Sequence, residues 1–271
     1  MAIITSIEQQ KNNPERYNIY IHSGTKETFL TGVDQDILIR FSLKKGVTID
    51  QQQIEDMIYQ DHLQKGFQKA LRYLATKMRT SSEIADFLKR YEYREDAIQS
   101  IIDKLINYKY IDDQLYAQTY VKEQILTGKR GPLAIRQALE KKSVPANLIA
   151  QALTAYTETL QIENALALMA KKHALTKRKS LSETKKILAQ SLCANGFSWE
   201  IIEAAWAKSS FADEESNLAA IRHQGMKFHR KYSLLPEQEY MYKLKQALYR
   251  KGFREEEIEM FIAEIEDTKG I

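Results

Sequence analysis

FLKRYEYREDAIQSII (87–102), ALEKKSVPANLIAQAL (138–153), SLCANGFSWEIIEAAW (191–206) and ALYRKGFREEEIEMFI (247–262) carry one pattern four times. Each opens on a small or apolar pair: Phe87-Leu88, Ala138-Leu139, Ser191-Leu192, Ala247-Leu248. Five residues later stands a large apolar marker, Tyr93, Val144, Phe197 or Phe253, and two further pairs follow at helical spacing. The markers are offset by 51, 53 and 56 residues, and the internal spacing is the same in all four copies. Self-similarity at this period is the signature of stacked helical modules, because one such unit cannot bury its apolar face alone.

Each copy accommodates three helices. In the first, Ala70, Leu71 and Leu74 belong to helix one, and Thr80 with Glu83 three residues on forms a capping-box pattern for helix two. Ala97, Ile98, Ile101, Ile102 and Leu105 give helix three its apolar stripe. In the second copy Gly131-Pro132 starts helix two, with Pro in the first turn. Ser180 and Pro236 start helix two one turn earlier relative to the marker, which predicts longer middle helices in the last two copies. Ahead of the array, residues 1–33 read as strands: Ile3-Ile4, then Tyr17, Ile19 and Ile21 in alternation, a turn at His22-Ser23-Gly24-Thr25, then Thr28-Phe29-Leu30. Asp34 or Asp36 is expected to cap a short element carrying Ile37 and Phe41, and Asp50 to cap a further helix.

The expected fold is mainly α: tandem three-helix modules forming an elongated array, with a small N-terminal β-containing segment. The expected division is a strand-rich segment at 1–50, a connecting helix at 51–66, and repeats at 67–112, 113–160, 161–210 and 211–271.

The 271 residues are 44% hydrophobic and 28% charged, a folded and not a disordered composition. The lone Cys193 excludes an internal disulfide and reads as a small buried hydrophobe. Neither a leader sequence nor a membrane span is visible, so a cytoplasmic protein is expected. Catalytic chemistry is not assembled. No Gly-rich phosphate loop occurs, and His22, His62, His173, His223 and His229 are scattered without metal-ligand spacing. Asp112-Asp113 sits at a helix start, where capping explains it better than a metal does. The expectation is a binding protein with no enzyme activity, no cofactor and no metal.

Net charge is only +4, but the basic residues recur at one place, the approach to helix two. These are Lys77 and Arg79, Lys129 and Arg130, and Lys177, Arg178 and Lys179, followed by His229, Arg230 and Lys231 in the last copy. The stretch from Lys171 to Lys186 holds seven Lys or Arg and one acid. Cations repeated along a stacked array suit a long acidic partner. Lys77, Arg79, Lys129, Arg130, Lys177, Arg178 and Lys179 are therefore the expected partner-binding residues. Tyr73, Tyr108, Tyr116 and Tyr120 fall with the apolar periodicity and are expected to pack. The residues alone leave open a direct nucleic-acid-binding repeat protein and a scaffold for another protein.

Three stretches carry a family resemblance: ALRYLATKMRTSSEIADFLKR (70–90), IIDKLINYKYIDDQLYAQTYV (101–121) and GKRGPLAIRQALEKKSV (128–144). Tyr110-Ile111-Asp112-Asp113 before Tyr116-Ala117 and the run Arg130-Gly131-Pro132 are its strongest marks. With them the chain resembles the RecX family of regulatory proteins, modulators of the bacterial RecA recombinase, in the long form found in Gram-positive bacteria. Lys179-Ser180 and Leu235-Pro236 depart from the Arg-Gly-Pro pattern. The resemblance implies a curved array of modules lying in the groove of the RecA filament on single-stranded DNA. It further implies inhibition of filament extension, ATP hydrolysis, strand exchange and the coprotease activity behind the SOS response. RecA filaments on single-stranded DNA are then the expected partner, with DNA itself a second one, no membrane, and a monomeric state.

Overall fold

The computed structural model describes residues 1–23, 26–176, 178–211 and 214–269, so Gly24 and Thr25 of the expected turn lie outside the described residues. Two compact units divide the chain, Met1–Tyr116 and Ala117–Ile271.

In the first unit, β1 (Ala2–Gln10), β2 (Asn13–Ser23), β3 (Lys26–Asp34) and β4 (Thr48–Ile49) form one antiparallel sheet in the order β3-β2-β1-β4. Ile4 pairs with Ile21, and Ile7 with Ile19. Alternation puts Ile4, Ile19, Ile21 and Val33 on the buried side. Asp34 caps α1 (Gln35–Arg40), and Asp50 caps α2 (Gln51–Leu74) in a reciprocal box with Gln53.

α2 is unbroken across residues 66 and 67, so the connecting helix and the first helix of the array are one element. Its N-terminal half gives Ile54 and Met57 to the core beneath the sheet. Its C-terminal half gives Phe67 and Ala70 to a second core, built with α3 (Ser81–Lys89) and α4 (Glu95–Asn107). Gly66 survives inside the helix because α4 crosses it there: a Cβ would stand 2.4 Å from Ile101 Cδ1. Between the two cores lies Asp61, 3% exposed. Its carboxylate accepts from both terminal nitrogens of Arg16 at 3.1 Å, from Lys65 at 2.8 Å and from the Asp34 N–H at 2.9 Å. Burial alone would push the Asp61 carboxyl up, but these donors together hold it below the usual carboxylate range.

α5 (Asp113–Thr127) contains the division between the two units. α6 (Pro132–Glu140) and α7 (Ala146–Leu153) complete its triplet. Two further triplets follow: α8 (Glu158–His173), α9 (Leu181–Ala194) and α10 (Trp199–Lys208), then α11 (Glu214–Tyr232), α12 (Glu237–Arg250) and α13 (Glu255–Lys269). The middle helices α3 and α6 have nine residues each, while α9 and α12 have fourteen, as the early starts at Ser180 and Pro236 predict.

One backbone event repeats in all four triplets. Each middle helix ends in a left-handed residue just before the apolar marker: Glu92 (φ 62°), Ser143 (φ 55°), Gly196 (φ 83°) and Gly252 (φ 80°). The N–H of each marker, Tyr93, Val144, Phe197 or Phe253, returns to the carbonyl of Leu88, Leu139, Leu192 or Leu248. This is a Schellman-type stop, with the marker as the apolar plug after it. Glu92 and Ser143 adopt left-handed backbone that disfavours a side chain. At Gly196 glycine is required twice over, since a Cβ would also stand 2.3 Å from the Ala134 backbone nitrogen. Gly225 on α11 has the role of Gly66: a Cβ there would stand 2.1 Å from the Phe261 ring of α13.

Gly196→Ala is therefore expected to destabilise the protein by roughly 2–4 kcal/mol, and Glu92→Gly to stabilise it by about 0.5–1 kcal/mol, both read by urea unfolding. Asp61 sets a pH dependence whose sign follows from its lowered pKa. The stabilisation is complete above the unfolded carboxylate value of about 3.9 and is lost as pH falls through the lower folded value. Asp61→Asn should cost about 3 kcal/mol at neutral pH, and its deficit against the wild type should shrink below about pH 4 in thermal melts.

Candidate binding surface at the starts of the middle helices

The start of a helix leaves N–H groups without partners, and here the following triplet meets several of them. The first N–H of α3, from Ser81, donates to Asp113 Oδ1 at 2.9 Å, and the first N–H of α9, from Leu181, to Asn217 Oδ1 at 3.1 Å. Asp112 caps α5 through the Leu115 N–H at 2.9 Å. The acidic pair thus has two separate structural roles. At α6 the first residue is Pro132, which has no N–H to offer. There the Gly131 N–H donates to the Asn195 carbonyl at 2.8 Å, and the Leu133 N–H to the Gly196 carbonyl at 3.1 Å. A Cβ on Gly131 would stand 2.4 Å from that Gly196 oxygen. Similarly, Ser180 Oγ donates to the Lys251 carbonyl at 2.5 Å, beside Gly252. The Gly of Arg130-Gly131-Pro132 is a docking residue between triplets.

The expected cations stand immediately before these joints, in unequal states. Lys77 is exposed. Arg79 is half-buried and folds back: its guanidinium lies 3.4 Å from the Tyr73 ring centroid, its Nε donates to the Tyr73 carbonyl at 3.0 Å, and Nη2 reaches Thr76 Oγ1 at 3.1 Å. Tyr73 in turn stacks on Phe87 at 4.0 Å. Arg79 therefore closes the loop between α2 and α3. Lys129 and Arg130 are both exposed, and Arg130 Nη1 is steadied by Tyr120 Oη at 2.8 Å. The preceding turn at Gly128 (φ 62°) is fixed by Asn164, whose amide donates to the Ile125 carbonyl at 3.0 Å and to Tyr156 Oη at 2.9 Å. Lys177 lies outside the described residues. Arg178 is exposed, while Lys179 is ion-paired with Glu183 on the next turn.

One further element, α11, reaches Arg178 ahead of α9. Gln224 Nε2 of α11 donates to the Arg178 carbonyl at 2.9 Å. On α11, Arg222, His223, Lys227, Arg230 and Lys231 are exposed around a cleft of about 920 Å³ that also includes Met226. Arg230 and Lys231 are the basic position expected in the last copy; Arg222, His223 and Lys227 were missed because no repeat of that position marks them, and their signal was their spacing along one helix. Two expectations are corrected. Cys193 is exposed: the buried stripe of α9 runs through Leu188, Ala189 and Leu192, and the next residue turns outward. Tyr108 is 62% exposed, at the end of α4, although its ring approaches Phe67 at 6.0 Å. Among the described residues no group of three or more His, Cys, Asp or Glu could hold a metal, and no helix is long and apolar enough to cross a membrane.

A small sheet followed by three-helix modules, joined where the starts of α3, α6 and α9 meet the following triplet, defines a modular helical-repeat protein. Models of RecX domains match in chain order: the "Regulatory protein RecX N-terminal domain" at residues 2–50, then the first, second and third three-helix domains at 67–105, 112–153 and 214–262. The chain is 38% identical over 267 residues to the regulatory protein RecX of Geobacillus sp. (strain WCH70), covering 98% of both. It is also 38% identical to that of Bacillus cereus (strain B4264), covering 97% of both. A crystal structure of regulatory protein RecX superposes with a TM-score of 0.69 at 33% identity, covering 77% of this chain and all of the other. RecX from Lactobacillus salivarius gives 0.53 at 35% identity, covering 55% and 96%. The chain belongs to the RecX family of regulatory proteins, and with it to the non-enzymatic regulators of recombination and DNA repair. The triplet α8–α10 falls between the second and third matched domains, yet it carries the same left-handed stop and helix-start docking.

Arg79→Ala is expected to cost about 1–2 kcal/mol because it removes the ring contact and two loop hydrogen bonds, whereas Arg130→Ala should cost under about 0.5 kcal/mol. Chemical denaturation of the two variants side by side distinguishes a loop clasp from a displayed cation.

Proposed function

We propose that the protein binds RecA filaments on single-stranded DNA and restrains their extension, and with it their ATP hydrolysis, strand exchange and coprotease activity. The observation that carries this reading is the match over 98% of the chain to a regulatory protein RecX. The modules at 67–112, 113–160, 161–210 and 211–271 act as linked contact units, whose individually weak contacts gain from effective concentration. Lys129 and Arg130 are the leading contact residues. Their exposure, and the Tyr120 and Asn164 bonds that steady the loop, support a preformed cationic knob. Lys77 and Arg178 share that exposure, and Lys177 belongs to the same set by its place in the sequence. Arg79 and Lys179 contribute chiefly by holding their loops. The protein acts as a monomer in the cytoplasm. Direct binding to DNA is the second reading, favoured by the exposed cations along α11.

The test adds the protein to RecA, ATP and single-stranded DNA and follows ATP hydrolysis during filament assembly. Substoichiometric inhibition is expected, and absence of an effect at any ratio refutes the function. Lys129→Glu with Arg130→Glu should raise the concentration for half-inhibition by about tenfold or more at unchanged helicity. Equal inhibition by that double variant removes these residues from the interface. DNA retention without RecA that falls steeply with salt would favour the second reading.

A further inference from the structure

In the first compact unit, α1, α2 and α4 enclose a cleft of about 380 Å³ that none of the contacts above explains. Arg40 of α1, Gln60 and Gln64 of α2, and Lys104 of α4 line it with Asp36 and Tyr108. The polar groups form a chain: Lys104 Nζ donates to Gln64 Oε1 at 2.8 Å, and Gln64 Nε2 donates to Asp36 Oδ2 at 3.1 Å. Arg40 Nη1 donates to Gln60 Oε1 at 2.9 Å. The half-buried Lys104 ammonium also lies 4.3 Å from the Phe67 ring centroid. Both cations are thus held by amide oxygens and a ring, and neither forms an ion pair among the described residues. Burial above all lowers the Lys104 pKa; Arg40 adds to the lowering, while Asp36 and Asp34 oppose it.

Among the lining residues two positive groups and one carboxylate leave one unit of positive charge facing a partly desolvated space, with Asp34 acting on Lys104 from outside the lining. One carboxylate would neutralise it, whereas a dianionic phosphate would overshoot beside Asp36. Tyr108 at the lining and Tyr110 next to it are 62% and 54% exposed, an aromatic rim of the kind that packs on protein side chains. We propose that this cleft receives one carboxylate, from an acidic side chain of a protein partner, between Lys104 Nζ and the Arg40 guanidinium. The site stands on its own geometry; only the identity of the partner rests on the proposed function.

The experiment titrates the full chain, 13C-labelled at lysine, with N-acetylglutamate N-methylamide, its glutamine analogue and inorganic phosphate at fixed ionic strength. The Lys104 Cε resonance is assigned by its loss in Lys104→Met. The glutamate compound should shift it saturably and raise the Lys104 pKa, the glutamine analogue should not, and Arg40→Gln should weaken the response about tenfold. An unmoved resonance, or an equal response to the glutamine analogue, overturns the site. A stronger response to phosphate overturns the carboxylate and points to a nucleic-acid ligand. A second arm compares Lys104→Met and Arg40→Gln with the wild type in the RecA filament assay, where about tenfold more protein should be needed for half-inhibition. If the wild type inhibits and both variants inhibit equally, RecA is not the partner of this cleft. If the wild type does not inhibit, the proposed function fails while the titration still decides the site.

Discussion

The requirement that a helix start find acceptors for its free N–H groups governs how this array is joined. Side chains meet part of that need within a helix, as Thr80 and Ser180 do. The rest is met from the next triplet, by Asp113, by Asn217, or by the carbonyls of Asn195 and Gly196. A helix start so docked cannot drift relative to the turn it touches, because losing the contact exposes polar backbone in a closed joint. Ahead of two of these starts an arginine has partners of its own, Arg79 on the Tyr73 ring and Arg130 at the Tyr120 hydroxyl.

The left-handed stop between the second and third helices is the counterpart of that docking. Its geometry is common to four sequences with three residue types at the left-handed position, Glu92, Ser143, and glycine at Gly196 and Gly252. Glycine occurs where the helix start of another triplet approaches most closely, at Ala134 and at Ser180 and Ser182. Close approach and backbone conformation are separate demands, and only their combination excludes a side chain.

Much of this was legible in the sequence because it is local. Asp50, Thr80 and Pro132 announce their helices within four residues, and the strand alternation around Tyr17, Ile19 and Ile21 needs no tertiary information. Features set by distant partners were not legible. Arg79 reads like any loop cation until its fold onto Tyr73 is seen, and Arg130, in the matching position, points instead to a hydroxyl ten residues back. Cys193 fits an apolar pattern but misses the buried stripe by one step of the helix. The cleft at Lys104 draws on three elements, no two of which are neighbours in the chain.

α2 places a demand on the chain that the other joints do not. The spacings between triplets vary, 51, 53 and 56 residues, so the loops and helix ends absorb changes in length. Between Met57 and Phe67 there is no loop, only continuous helix serving a core at each end. One residue inserted there would rotate one core against the other by about 100° and advance it by about 1.5 Å. The sheet and the first triplet are therefore geared together, and within that stretch the chain can change residue identity but not residue number.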